Sequence, residues 1–124
     1  MSPTSRRKRI LVVEDDTEVA TLLQNVLANY QYDVEMADDL SVLQASREHL
    51  PDLILLDLFM PSVSGDEAAQ RLQALPETAD IPIVLMSGAP DVEQRAAELG
   101  VAGFLRKPFD LDDLLDVVRR TLAK

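Results

Sequence analysis

Three short runs of apolar residues constrain the fold of this chain more than any other feature of its sequence. The runs are Ile10–Val13, Leu53–Leu56 and Ile81–Met86. Each is too short for a helix and contains no polar residue, which is typical of strands buried on both sides in a parallel sheet. Parallel neighbours need long crossover connections, so we expect helices between these strands.

The segments around these runs have helical or weaker strand patterns. Apolar residues with helical spacing form one face from Val19 to Tyr30, behind a predicted cap at Asp16 or Thr17. Further helices are predicted over about 39–49, 66–75, 91–99 and 111–122, and two more strands over 33–37 and 102–105. The alternation predicts an α/β fold: a (βα)5 doubly wound, parallel five-stranded sheet in the flavodoxin-like order 2-1-3-4-5.

The chain divides into a basic arm and an acidic body. Residues 1–9 hold four of the twelve basic residues and no acid, and we predict that they are a disordered arm. Residues 10–124 are predicted to form one domain, and their eight basic and 22 acidic residues give a net charge of −14. A phosphate backbone would repel such a body, so direct binding of nucleic acid is not expected.

The rest of the composition excludes other classes of protein. The chain has no cysteine, which excludes disulfides, zinc–thiolate sites and a cysteine nucleophile. It has no apolar stretch near the roughly 18 residues of a membrane span, so no membrane span is expected. These features favour a cytoplasmic protein, which we expect to be a monomer or a weak dimer.

Polar side chains follow the ends of the predicted strands. Glu14 and Asp15 follow the first, Asp57 the third, Ser87 the fourth and Lys107 the fifth. In the order 2-1-3-4-5 the first and third strands flank the switch point, where ligands bind in open α/β sheets. Three carboxylates at close range need a compensating charge, and Mg²⁺ prefers such oxygen ligands. With a hydroxyl and an ammonium beside them, this set suits the stabilisation of a phosphoryl group.

Four motifs at these strand ends carry a resemblance to a known family. They are ILVVEDD, LILLDLFMP followed by Ser64-Gly65, IVLMSGAP and GFLRKPF. In this order and spacing they resemble the receiver domain of bacterial two-component response regulators, and the chemotaxis-type single-domain receiver in particular. The similarity extends from residue 10 to about residue 122, so it covers nearly the whole chain.

The resemblance implies roles for the residues at the site. Asp57 would be the phosphoacceptor, and Lys107 would pair with the phosphoryl group or with Asp57. Glu14 and Asp15 would hold Mg²⁺, directly or through water, with Asp57 and the backbone carbonyl of Phe59 as further ligands. The protein would then be a signalling module that catalyses its own phosphorylation and dephosphorylation rather than an enzyme in the ordinary sense.

The resemblance also implies a switch and two classes of partner. Ser87 would bond a phosphoryl oxygen and move inward, and Phe104 would follow it, although a core aromatic role for Phe104 is equally compatible with the sequence. Lys107–Pro108 would be a cis peptide. A histidine kinase or a histidine phosphotransfer protein would donate the phosphoryl group. A downstream protein would read the surface of the fourth helix, fifth strand and fifth helix.

Two alternatives and one departure from the family pattern remain open at this point. The chain could be an interaction domain of the same fold that no longer uses phosphate, although the intact acid, serine and lysine set argues against this. It could also be a flavodoxin-like cofactor binder or an aspartyl phosphatase, but no glycine-rich phosphate loop follows the first strand and no second acid stands two residues after Asp57. Phe59 and Ala89 stand two residues past Asp57 and Ser87, and we hypothesise that they slow the loss of phosphate.

Overall fold

The computed structural model describes residues 7–123, within which five strands alternate with five helices. The elements are β1 Arg9–Val13, α1 Thr17–Asn29, β2 Asp33–Ala37, α2 Val42–His49, β3 Leu53–Asp57, α3 Gly65–Ala74, β4 Ile83–Ser87, α4 Val92–Leu99, β5 Gly103–Arg106 and α5 Leu111–Leu122. All strand pairs are parallel, and the sheet order is β2-β1-β3-β4-β5. The predicted fold class and strand order are therefore confirmed.

Side chains alternate between two cores, one on each face of the sheet, because successive residues of a strand point to opposite sides. Ile10 and Val12 of β1 pack with α1 and α5, whereas Leu11 and Val13 pack with α2, α3 and α4. Every residue of β3 and β4 is buried. This double burial is why the apolar runs carry no polar positions.

The first strand begins one residue before the predicted boundary of the domain. Arg9 was predicted to belong to the arm, but it pairs with Asp33 of β2 in the sheet register. Its backbone N–H donates to Asp52 Oδ2 at 2.8 Å, and its guanidinium donates to the backbone oxygen of His49 at 2.9 Å. Residues 1–6 of the predicted arm lie outside the described residues.

Other boundaries shift for local reasons. β4 begins at Ile83 rather than Ile81, because Pro82 has no N–H to give to the sheet. α2 begins at Val42 rather than near residue 39, because the side chain of Asp38 accepts from the backbone N–H groups of Leu40 and Ser41 and holds them in a turn.

Three predicted caps are present. Asp16 accepts from the N–H groups of Glu18 and Val19 at the start of α1, and Asp110 accepts from that of Asp113 at the start of α5. Gly100 ends α4 with φ +69°, a left-handed conformation that glycine adopts without strain. No helix within residues 7–123 has the length and apolar character needed to cross a membrane.

Candidate functional site

The parallel sheet brings the ends of four strands to one edge. Val13 of β1 pairs with Leu56 of β3 in the register. Glu14 and Asp57 are the next residues of the two strands, so they lie side by side at the ends of these strands. Ser87 ends β4, and its backbone oxygen accepts from the N–H of Lys107 at 2.8 Å. The carboxyl ends of these strands therefore lie together at this edge, as their order in the sheet requires.

Glu14, Asp15 and Asp57 each place a carboxylate oxygen within 4.8 Å of the other two. Glu14 and Asp57 are only 6% and 5% exposed, whereas Asp15 is exposed and opens the cluster to solvent. Three carboxylates beside one ammonium leave an excess of negative charge. The donor set, which is all oxygen and open on one side, fits Mg²⁺, since this ion binds through a few carboxylates and keeps several waters.

Lys107 ties the two buried carboxylates together. Its Nζ donates to Glu14 Oε1 at 2.6 Å and lies 3.6 Å from Asp57 Oδ1. Burial of the ammonium lowers the pKa of Lys107, but the hydrogen bond to Glu14 and the charges of both acids outweigh it, so the net pKa is raised. Lys107 therefore stays charged at neutral pH.

Asp57 has a pKa raised to about 7. Burial is the largest cause, followed by a hydrogen bond with Glu14 and the negative charge of Glu14, while Lys107 and the N–H of Phe59 act in the opposite direction. Near pH 7 the carboxyl group is thus divided between its acid and carboxylate forms. A cation at the cluster would favour the carboxylate, which is the nucleophilic form.

The backbone next to Asp57 is held from two sides. The N–H of Leu58 donates to the oxygen of Met86 at 3.0 Å, and that of Gly65 donates to the oxygen of Leu58 at 2.9 Å. A Cβ atom on Gly65 would stand 2.4 Å from the backbone oxygen of Asp57 and 2.6 Å from Leu58 Cα. Only glycine allows the start of α3 to approach this strand end so closely.

Phe59 differs from the buried Asp57 and Leu58 that precede it, because its side chain is 59% exposed. Its backbone N–H lies 3.4 Å from Asp57 Oδ1, so its backbone is beside the candidate acceptor. The guanidinium of Arg95 on α4 lies 6.0 Å from the centre of its ring. The role of the Phe59 carbonyl as a metal ligand stays a prediction.

The predicted switch residues take different positions. Ser87 is 1% exposed, and its Oγ accepts from the N–H of Ala89 at 2.9 Å. Phe104, on the edge strand β5, is half-buried beside the core of α2, α3 and α4, with the guanidinium of Arg106 5.4 Å from its ring centre. The Lys107–Pro108 peptide is cis, as predicted.

Two residues at the site had no distinct signal in the sequence. Asp39 is buried and accepts from the backbone of the loop that follows Asp57. Arg95 joins α4 to α3 through Asp66, at 2.8 Å, and contacts the ring of Phe59. These contacts join residues that lie 23 or more positions apart in the chain, so no local spacing marks them. The local pair of Arg95 with Asp91, at 3.2 Å, is an ordinary contact along the helix.

The sequence matches a known family and curated relatives. Residues 10–119 match the response regulator receiver domain family. A DNA-binding dual master transcriptional regulator, RpaA of Synechocystis, is 36% identical over 94% of this chain, which spans about half (49%) of that relative. Sporulation initiation phosphotransferase F of Bacillus subtilis is 32% identical, with 93% of this chain and 94% of the relative covered.

Solved structures agree with this match. A putative response regulator from Chloroflexus aurantiacus superposes with a TM-score of 0.90 at 30% identity, over 96% of this chain and all of that one. The receiver domain of the sensor histidine kinase PA1611 from Pseudomonas aeruginosa, which holds a magnesium ion in its active-site cleft, has a TM-score of 0.86 at 23% identity, over 96% of this chain and all of that one. By sequence and by fold, the chain belongs to the response regulator receiver domain family of two-component signalling.

Proposed function

We propose that the protein accepts a phosphoryl group on Asp57 in a Mg²⁺-dependent reaction. The observation that carries the proposal is the convergence of Glu14, Asp15 and Asp57 within 4.8 Å, with the Lys107 ammonium 2.6 Å from Glu14. The name of the Bacillus subtilis relative, a phosphotransferase, and the magnesium ion in the Pseudomonas aeruginosa receiver support it.

In this reaction an oxygen of Asp57 forms a bond to phosphorus while the bond from phosphorus to the donor's leaving group breaks. With a phosphohistidine donor, the leaving group is the imidazole nitrogen. Glu14, Asp15 and Asp57 would hold Mg²⁺, which would supply positive charge beside the phosphoryl oxygens. Lys107 supplies a second positive charge beside the acceptor, and burial of Asp57 limits the approach of water.

The phosphorylated state differs from the free one mainly in charge. Phosphorylation adds roughly −1.5 to −2 charge to a site that is already acidic. We expect Lys107 and the hydroxyl of Ser87 to respond, and Ser87 would exchange its present bond with the N–H of Ala89 for a bond to a phosphoryl oxygen. We propose that Phe104 follows, and that a downstream protein reads the surface of α4, β5 and α5.

A histidine kinase or a histidine phosphotransfer protein is the proposed donor. Receiver domains interact with such partners as a class, and this chain is one domain. The individual kinase and the individual target are not identified by the chemistry of the site, because any phosphohistidine presents the same reacting group.

The test is incubation with Mg²⁺ and acetyl phosphate, read by intact mass. The wild type should gain one phosphoryl group, and Asp57→Ala should gain none. Asp112→Asn, which removes an exposed acid from α5, is a matched control and should behave as the wild type. A wild type that gains no phosphoryl group would instead support an interaction domain that does not use phosphate.

A second test addresses how long the phosphoryl group stays on Asp57. We propose that the ring of Phe59, two residues from the acceptor, hinders the attacking water and that Ala89 offers it no polar contact. Phe59→Asn replaces the ring with a side chain that can orient water, so the phosphorylated variant should lose phosphate several times faster. Equal rates of dephosphorylation for variant and wild type would remove this role.

A further inference from the structure

Asp39 is a buried carboxylate that does not belong to the strand-end cluster. It lies between β2 and α2 and is 6% exposed. Its Oδ2 accepts from the backbone N–H of Ser62 at 2.6 Å and from that of Val63 at 2.8 Å. Hydrogen bonds from N–H groups to a carboxylate are short and strong, so this pair ties the segment between β2 and α2 to the backbone of Ser62 and Val63.

The two N–H groups belong to the loop of residues 58–64, which connects Asp57 to α3. One end of this loop is held by the bond from the N–H of Leu58 to Met86, and the other by the bond from the N–H of Gly65 to Leu58. Asp39 holds the part of the loop between these ends. It therefore acts on the segment whose first residues lie against the acceptor.

The carboxylate of Asp39 is itself held in place. Next to it, Asp38 Oδ1 accepts from the backbone N–H groups of Leu40 and Ser41 at 3.1 and 2.9 Å, and from the hydroxyl of Ser41 at 2.9 Å. The N–H of Val63 lowers the pKa of Asp39 most, and although burial acts in the opposite direction the net pKa is lowered. Asp39 is thus a fixed, charged acceptor at neutral pH.

Asp39 also stands on the wall of a cleft that opens onto the acidic cluster. The cleft holds about 570 Å³ and is bounded by Glu14 and Asp15 on one side and by Pro61 and Ser62 of the loop on another. A shift of the loop would therefore change the shape of the cleft beside Glu14 and Asp15, even if these two side chains did not move.

We propose that Asp39 is a positioning residue for the acceptor loop. By holding Ser62 and Val63, it keeps the backbone of Phe59 in position beside Asp57. The loop is then already ordered in the folded protein, so metal binding does not have to supply the entropy cost of ordering it. The proposal rests on the proposed function, since it assigns the loop a part in binding Mg²⁺ and in phosphoryl transfer. Asp39 touches neither the metal nor the phosphoryl group and acts through the loop.

The experiment compares Asp39→Ala and Asp39→Asn with the wild type. Hydrogen exchange by NMR reports on the N–H groups of Ser62 and Val63, and calorimetric titration with MgCl₂ reports on metal affinity. In Asp39→Ala these N–H groups should exchange about tenfold faster or more, because a hydrogen bond to a charged group is lost. Mg²⁺ affinity and the rate of phosphorylation by acetyl phosphate should each fall several-fold.

Asp39→Asn keeps an oxygen acceptor of the same shape and should recover part of each loss. Thr78→Val is the matched control, because Thr78 is 1% exposed and its hydroxyl donates to the backbone of Leu72, away from the acceptor loop. This variant should lose stability but keep the exchange at residues 62 and 63, the Mg²⁺ affinity and the phosphorylation rate of the wild type.

The outcomes separate the inference from the proposed function. Wild-type values for exchange and Mg²⁺ affinity in Asp39→Ala would overturn the positioning role, even with normal phosphorylation of the wild type. A wild type that binds Mg²⁺ but takes no phosphoryl group would overturn the proposed function. The positioning role would then be supported by a loss of Mg²⁺ affinity in Asp39→Ala and overturned by an unchanged affinity. If Asp39→Ala does not fold, Asp39→Asn decides, since unchanged exchange and affinity in that variant contradict the proposal.

Discussion

Two acid-rich regions of the molecule differ in what their carboxylates can do. The strand-end site collects three acids from two strands and buries two of them against Lys107. The cap and first half of α5 carry four exposed acids within seven residues: Asp110, Asp112, Asp113 and Asp116. By density of acid alone the helix is the richer region, yet the chemistry belongs to the strand ends.

The acids of α5 find their partners locally. Asp110 caps the helix through the N–H of Asp113, and Asp116 lies 3.1 Å from Arg120, one turn further along. Such pairs are solvated and exert little force on one another. Carboxylates gain unusual properties when different segments bring them together away from water, and that is a property of the fold rather than of composition.

The largest expected effect is the loss of the cation at the strand ends. Lys107→Met leaves Glu14 and Asp57 buried without their ammonium, and we expect it to lower the free energy of unfolding by about 3 kcal/mol at pH 8 without Mg²⁺. Arg120→Met removes the exposed cation of α5 and should cost roughly 0.5 kcal/mol or less. Urea unfolding of both variants measures the contrast, and equal losses would show that the two regions do not differ.

A second, smaller effect is a dependence of stability on pH. The pKa of Asp57 is raised from 3.8 to about 7, so the folded protein holds this proton more tightly than the unfolded chain. Its contribution to stability is complete below about pH 4 and is lost as the pH rises through 7. Without Mg²⁺, the wild type should lose roughly 2 kcal/mol more than Asp57→Asn between pH 5 and pH 8.

The same titration can be repeated with controls. Asp112→Asn should follow the wild type, because its carboxylate is exposed on α5. Saturating Mg²⁺ should reduce the loss of stability at pH 8 in the wild type, since the ion binds the folded protein in its deprotonated form. A wild type and an Asp57→Asn variant with parallel pH profiles would contradict the raised pKa.

The smallest expected effect concerns the cap of α5. Asp110→Ala removes the acceptor for the N–H of Asp113 and should lower the free energy of unfolding by about 1 kcal/mol. Mg²⁺ affinity and phosphorylation should stay at wild-type values, because the cap is separate from the strand-end site. A fall in Mg²⁺ affinity in this variant would show that the α5 acids take part in the chemistry after all.

Much of the fold and of the site could be predicted because both depend on regular patterns. Residues buried on both faces must be apolar, so β1, β3 and β4 appear in the sequence as uninterrupted runs. The carboxyl ends of parallel strands meet at one edge, so the convergence of Glu14, Asp57 and Lys107 follows from the strand order. Helix caps such as Asp16 were predictable because cap and helix are adjacent in the chain.

The features that could not be predicted depend on contacts between distant segments. Arg9 joins β1 because Asp33 and Asp52 offer it partners, and nothing in residues 1–9 shows this. Asp39 looks like an ordinary helix start until the loop after Asp57 is folded against it. For Phe104 the structure gives an intermediate result, because a half-buried edge-strand aromatic is compatible with both a packing role and a switching role.

The exposure of Phe59 has a consequence for how relatives of this protein can diverge. Its side chain stands 59% in solvent while its backbone lies against the acceptor. Replacing it opens no cavity in the core, so we expect substitutions here to change the free energy of unfolding only slightly. Under the proposed function, substitutions at this one position can change the lifetime of the phosphorylated state without changing the stability of the fold, so evolution can select the two properties separately.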